Sequence, residues 1–117
     1  MNAMRQDLIY ICHSEVLSDP GSYGFEIEQG AGVVEGFVVK RDGQYFAYRN
    51  SCPHTGAPLD WVEHQFLDME GSMIQCAVHD ARFLIETGEC VMGPCPGESL
   101  QKIEIVVSDD QIYLTTP

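Results

Sequence analysis

Apolar residues in this chain arrive in short bursts, either alternating with polar neighbours or briefly unbroken. No stretch keeps the spacing of an amphipathic helix over several turns. Leu8-Ile9-Tyr10-Ile11-Cys12 is rich in β-formers and reads as a strand. Ser14-Glu15-Val16-Leu17 predicts a single helical turn before the turn signal Asp19-Pro20-Gly21. Residues 25–28 alternate and predict a second strand. Residues 33–40 and 44–48 flank Arg41-Asp42-Gly43, a hairpin with an Asp-Gly turn. Phe66-Leu67 and Met73-Ile74 can pair across Glu70-Gly71 as a second hairpin. Residues 81–85 predict a strand that turns at Glu86-Thr87-Gly88-Glu89, and residues 90–97 read as a rigid loop. A last hairpin joins residues 100–107 to 112–114 across Ser108-Asp109-Asp110-Gln111. Short strands with frequent turn signals predict an all-β, antiparallel sandwich or barrel.

At 117 residues the chain makes one domain, 1–117, large enough to bury a core without disulfide staples. Leu8 to Cys12 is too short for a signal peptide or a membrane span, so the expectation is a soluble, cytoplasmic protein. Five cysteines are an odd number and do not suggest a secreted disulfide scaffold. A formal net charge of −12 and a pI near 4.4 argue against nucleic acid and against anionic membrane surfaces as partners. Such acidity either steers the protein towards basic patches on protein partners or simply aids solubility.

The chemistry concentrates between Cys52 and His79. Ser51-Cys52-Pro53-His54-Thr55-Gly56-Ala57-Pro58-Leu59 opens the stretch, and Gln75-Cys76-Ala77-Val78-His79-Asp80-Ala81-Arg82-Phe83 closes it. The spacing is C-x-H, 21 residues, then C-x-x-H. Two thiolates and two neutral imidazoles suit either a tetrahedral zinc ion or a 2Fe–2S cluster with His in place of Cys on one iron. A zinc finger usually pairs Cys with Cys and His with His, whereas each pair here is mixed. Mixed pairs let both loops give a Cys to one iron and a His to the other. Zinc accepts the same four ligands.

The two motifs resemble those of the Rieske family, and the resemblance continues through Phe83, Thr87-Gly88 and Gly93-Pro94. It implies a Rieske-like β-fold with a small cluster-binding subdomain, roughly residues 50–97, formed by two loops. It implies Cys52, His54, Cys76 and His79 as ligands of one 2Fe–2S cluster. The long gap suggests an enlarged hairpin between the loops, and Asp80 stands where glycine is usual. Trp61 is expected to cap this insertion against the core, and His64 to lie on the surface. Gly93-Pro94 fits the loop that covers the cluster in the family.

High-potential members carry Ser and Tyr donors and a disulfide at positions that correspond here to Ala81, Phe83, Ala57 and Val78. Their replacement implies a low-potential, ferredoxin-type centre. No catalytic set or flavin motif accompanies the ligands, so the chain reads as an electron carrier rather than an enzyme. The family implies a ferredoxin between a flavin reductase and a terminal oxygenase. Two alternatives stay open: a nitrite reductase-like small subunit, and a structural zinc or iron–sulfur interaction module. Cys90 and Cys95 bracket Val91-Met92-Gly93-Pro94; free thiols are expected there in a reducing cytosol, with a loop disulfide as the alternative.

Overall fold

Residues 33–39 read Val-Val-Glu-Gly-Phe-Val-Val, which is too apolar for a strand with one wet face. In the computed structural model this strand is covered on both sides. The structure describes residues 8–29, 32–53, 58–60, 63–76, 81–93 and 97–115. Strand β3 (Gly32–Arg41) lies between β2 (Gly21–Gln29) and β4 (Gln44–Arg49) in an antiparallel sheet. Val34, Val38 and Ala47 enter one buried cluster, while Phe37, Val39 and Tyr48 enter another. The central sheet thus divides two cores.

The expected β3–β4 hairpin forms with Asp42 at φ 53° and Gly43 at φ 76°. Two successive positive φ values make the turn that matches strand twist, and Asp-Gly suits it. The Asp19 carboxylate accepts the N–H groups of both turn residues, each at 2.8 Å. Strand β2 begins at Gly21 rather than 25, because its small polar start pairs with residues 38–40 of β3.

The first core is closed by a sheet of β1 (Leu8–His13), β9 (Gln111–Thr115) and β8 (Ile105–Ser108), in the order β1-β9-β8. A 3-10 turn, Ser14–Val16, follows β1 as expected. Strand β8 starts five residues later than the apolar pattern predicted. The reason lies in residues 98–104, which hand their hydrogen bonds from one sheet to the next. Glu98 accepts from Cys90 N–H at 2.8 Å, and Leu100 N–H donates to Gly88 at 2.8 Å. Gln101 then accepts from Arg49 at 2.8 Å, and Ile103 donates to Ala47 at 2.9 Å.

A third sheet, β5 (Met73–Gln75), β6 (Arg82–Leu84) and β7 (Cys90–Met92), carries the far end of the molecule. Residues 90–92 form a strand where a loop was expected, because they pair with β6 across a bulge. The predicted second hairpin is present: Leu67 bridges Ile74, and Gln75 N–H donates to Phe66 at 2.9 Å. Tyr48 joins this end to the central sheet through its hydroxyl, which donates to the Ile85 carbonyl at 2.6 Å. The all-β antiparallel expectation holds. No helix among the described residues is long and apolar enough to cross a membrane.

Candidate metal centre

The first candidate ligand loop leaves β4 through Asn50. Asn50 N–H donates to Glu35 at 2.9 Å, fixing the residue to the neighbouring strand. Its side chain then spans the mouth of the loop. Oδ1 accepts Leu59 N–H at 2.6 Å, and Nδ2 donates to Asp60 Oδ1 at 2.9 Å. The chain is therefore pinched before Cys52 and after Pro58, and Cys52 is held inside at 1% exposure.

The second loop is closed by backbone. Cys76 N–H donates to the Ala81 carbonyl at 2.8 Å, just beyond the pair Gln75–Arg82 that ends the β5–β6 ladder. Cys76 and Ala81 are fully buried, and both share one core cluster with Cys52. A third segment lies over this closure. Gly93 has φ +100°, and a Cβ there would stand 2.7 Å from Ala81 Cα. Only glycine allows that approach.

Cys52 and Cys76 are thus brought into one buried cluster from two pinched loops. His54 and His79 lie outside the described residues, as do Trp61, Ala57, Val78, Asp80, Pro94 and Cys95. Among the described residues no group of three or more His, Cys, Asp or Glu converges. Cys90 is buried, and its Sγ donates to the Met92 carbonyl at 3.3 Å. The fifth cysteine, Cys12, sits in the other core, where burial pushes its thiol up to about 11. Cys12 behaves there as a small buried hydrophobe. Ala81 and Phe83 are both buried at this end and offer no side-chain donor.

The insertion between the loops is sealed by Phe66, which stacks on Phe37 with centroids 4.2 Å apart and planes 7° off parallel. His64 lies partly exposed, as expected of a surface residue, but it also takes a structural role. Its Nδ1 accepts Gly24 N–H at 2.9 Å, its carbonyl accepts the Ser22 hydroxyl at 2.7 Å, and its ring stacks on Tyr23 at 4.4 Å. It caps the free edge of β2, so an edge N–H finds a partner. Neither Asn50 nor His64 is apparent as a clamp in the sequence. An Asn two residues before a ligand is the one available signal.

A family model for the Rieske [2Fe-2S] domain matches residues 7–109. The chain belongs to the Rieske family. The family binds one 2Fe–2S cluster, and a Rieske domain is a metal-binding electron-transport module. The chain is 31% identical over 105 residues to human apoptosis-inducing factor 3, matching 89% of this chain but 16% of that protein. It therefore spans about 16% of the curated relatives it matches. Among solved structures, the ferredoxin of carbazole 1,9a-dioxygenase from Nocardioides aromaticivorans IC177 superposes with a TM-score of 0.70. That pair is 25% identical and covers 94% of this chain and 97% of the other. The Sphingomonas yanoikuyae B1 ferredoxin gives a TM-score of 0.70 at 22% identity, over 95% of this chain and 100% of that one, and shares the fold.

The donors present suit a Rieske cluster. Two buried thiols on separate, individually closed loops are what a cluster bridging the loops requires, and thiolate is the natural iron–sulfur ligand.

Proposed function

We propose that this chain is a Rieske ferredoxin component that carries one electron between a flavin reductase and a terminal oxygenase. Cys52, His54, Cys76 and His79 would hold the cluster, two thiolates and two imidazoles making up its four protein ligands. Residues 1–117 act as one Rieske unit, with the cluster at roughly 50–97. The observation that carries this reading is the burial of Cys52 and Cys76 in one core from two loops. Similarity to the ferredoxin of carbazole 1,9a-dioxygenase supports the carrier role.

When bound, such a cluster would supply a one-electron carrier that is easier to reduce than an all-thiolate centre, because imidazole is neutral where thiolate is anionic. The protein's own residues set the conditions. Asn50 holds the first loop closed, and the Cys76–Ala81 hydrogen bond holds the second. Phe66, Phe83 and Leu59, all fully buried, keep water from the rear of the site. Ala81 and Phe83 supply no hydroxyl to the sulfurs, which supports a potential at or somewhat below about zero mV within a family range of about −150 to +300 mV.

Metal analysis tests the assignment. Two iron and two acid-labile sulfide per chain, with nitrogen coupling in the EPR spectrum of the reduced protein, are expected. One zinc per chain, or a reduced spectrum without nitrogen coupling, refutes it. Electrochemistry returning a value near +300 mV contradicts the low-potential reading. A reductase and an oxygenase recovered with the native protein distinguish the ferredoxin from a nitrite reductase-like subunit.

A further inference from the structure

Asp68 is the one charged residue in the interior among the described residues, with its side chain 5% exposed. It sits in the insertion hairpin, and its carboxylate is fully engaged. Oδ1 accepts the N–H of Ser72 at 2.9 Å and of Met73 at 3.3 Å. Oδ2 accepts the Ser72 hydroxyl at 3.2 Å and lies 3.8 Å from Arg82 Nη1. Burial alone would raise this carboxyl, but the three hydrogen bonds and the guanidinium outweigh it and hold it below the usual range. The carboxylate is therefore a fixed negative charge.

Arg82 opens β6 opposite Gln75, one step along the ladder from the Cys76–Ala81 closure. Its side chain is one-third exposed, at the wall of a groove of about 330 Å³ lined also by Asp68, Met69, Glu70 and Gln75. Glu70 adds a second, exposed negative charge on that wall. Adding an electron to a site makes it more negative, so a nearby cation favours reduction and a nearby anion opposes it. Most acids of this chain are exposed and are screened within a Debye length of about 8–10 Å. Asp68 is not.

We propose that Asp68 is a positioning residue that holds Arg82 at the root of the second ligand loop and, by neutralising it, lowers the reduction potential of the centre. The inference rests on the cluster assignment above. It gives the insertion a role beyond packing: the hairpin delivers a buried charge to the strand pair that carries Cys76.

The test is direct electrochemistry on the intact cluster-loaded protein, with iron and sulfide counted for every variant. Asp68→Asn is expected to raise the potential, with a several-fold shift of the one-electron equilibrium towards the reduced form. Arg82→Gln is expected to lower it, and the double variant to return close to wild type. Arg82→Lys, which keeps the charge, is expected to leave the potential near wild type. A purely structural role would move these variants without regard to sign. Shifts of the same sign in Asp68→Asn and Arg82→Gln, or none in either, overturn the proposal. Should Asp68→Asn fail to load, the Gln and Lys variants at 82 decide it: equal potentials overturn it. Wild-type protein lacking two iron and two sulfide refutes the cluster assignment instead, which the metal count reports separately.

Discussion

The mouths of the two candidate ligand loops are closed by different means. The first depends on one side chain, Asn50, bonded to Leu59 N–H and to Asp60. The second depends on backbone, the Cys76–Ala81 hydrogen bond at the end of a strand pair, with Gly93 pressed over it. A side-chain clamp can be removed by one substitution. A backbone closure can be disturbed only by forcing the chain apart.

That contrast predicts where the molecule breaks. The largest effect is expected at Gly93→Ala, since the new Cβ meets backbone at 2.7 Å from a positive φ. It should cost roughly 3 kcal/mol, visible in denaturant unfolding, and should weaken cluster retention. A variant as stable as wild type would mean that the third segment is not pressed on the second loop. Asn50→Ala comes next, at about 2 kcal/mol for two lost hydrogen bonds in a half-buried position. Asn50→Asp separates the two bonds, because it keeps the acceptor for Leu59 but sets a carboxylate against Asp60. Its defect should shrink as the pH is lowered enough to protonate one of the two acids, whereas the Ala defect should not.

Tyr48→Phe removes no apolar contact but leaves the buried Ile85 carbonyl without its donor, a loss of about 1 kcal/mol. Burial, aided by the Glu86 charge, pushes the Tyr48 hydroxyl up to about 12. The unfolded chain ionises it near about 10. Its contribution is therefore complete below about pH 10 and falls away as the pH rises towards about 12. Unfolding free energy followed across that window should decline more steeply in wild type than in Tyr48→Phe.

The smallest expected effect is at the acid end. Asp68 titrates lower in the folded protein than in the unfolded chain, so its contribution is present above about pH 4. It is lost as pH falls through the folded value. Acid unfolding of Asp68→Asn should show a shallower limb than wild type, and an identical limb would remove Asp68 from the account.

The sequence alone determined the strands whose neighbours lie close along the chain. The Asp42-Gly43 hairpin, the short pairing of residues 66–67 with 73–74, and the Asp109-Asp110 turn are written in local chemistry, with both Asp residues of that last turn at positive φ. The two Cys/His motifs were legible for the same reason: ligand spacing of one or two residues is a local property, and it named the family that the domain match then showed.

Tertiary structure decided the rest, because the deciding partners are far apart in the chain. Residues 100–104 look like the start of a strand, yet they form none, since the partners of residues 98–104 belong successively to β7 and its preceding turn, then to β4. His64 looks like a surface residue, yet it caps an edge strand 40 positions away. Asn50 and Asp68 look like ordinary loop polar residues until the fold brings Leu59 and Arg82 to them. For these three side chains a deciding partner, Leu59, Gly24 or Arg82, lies outside the residue's own sequence neighbourhood. Only the folded chain, by removing water from around each side chain, settles which donor or acceptor it must take.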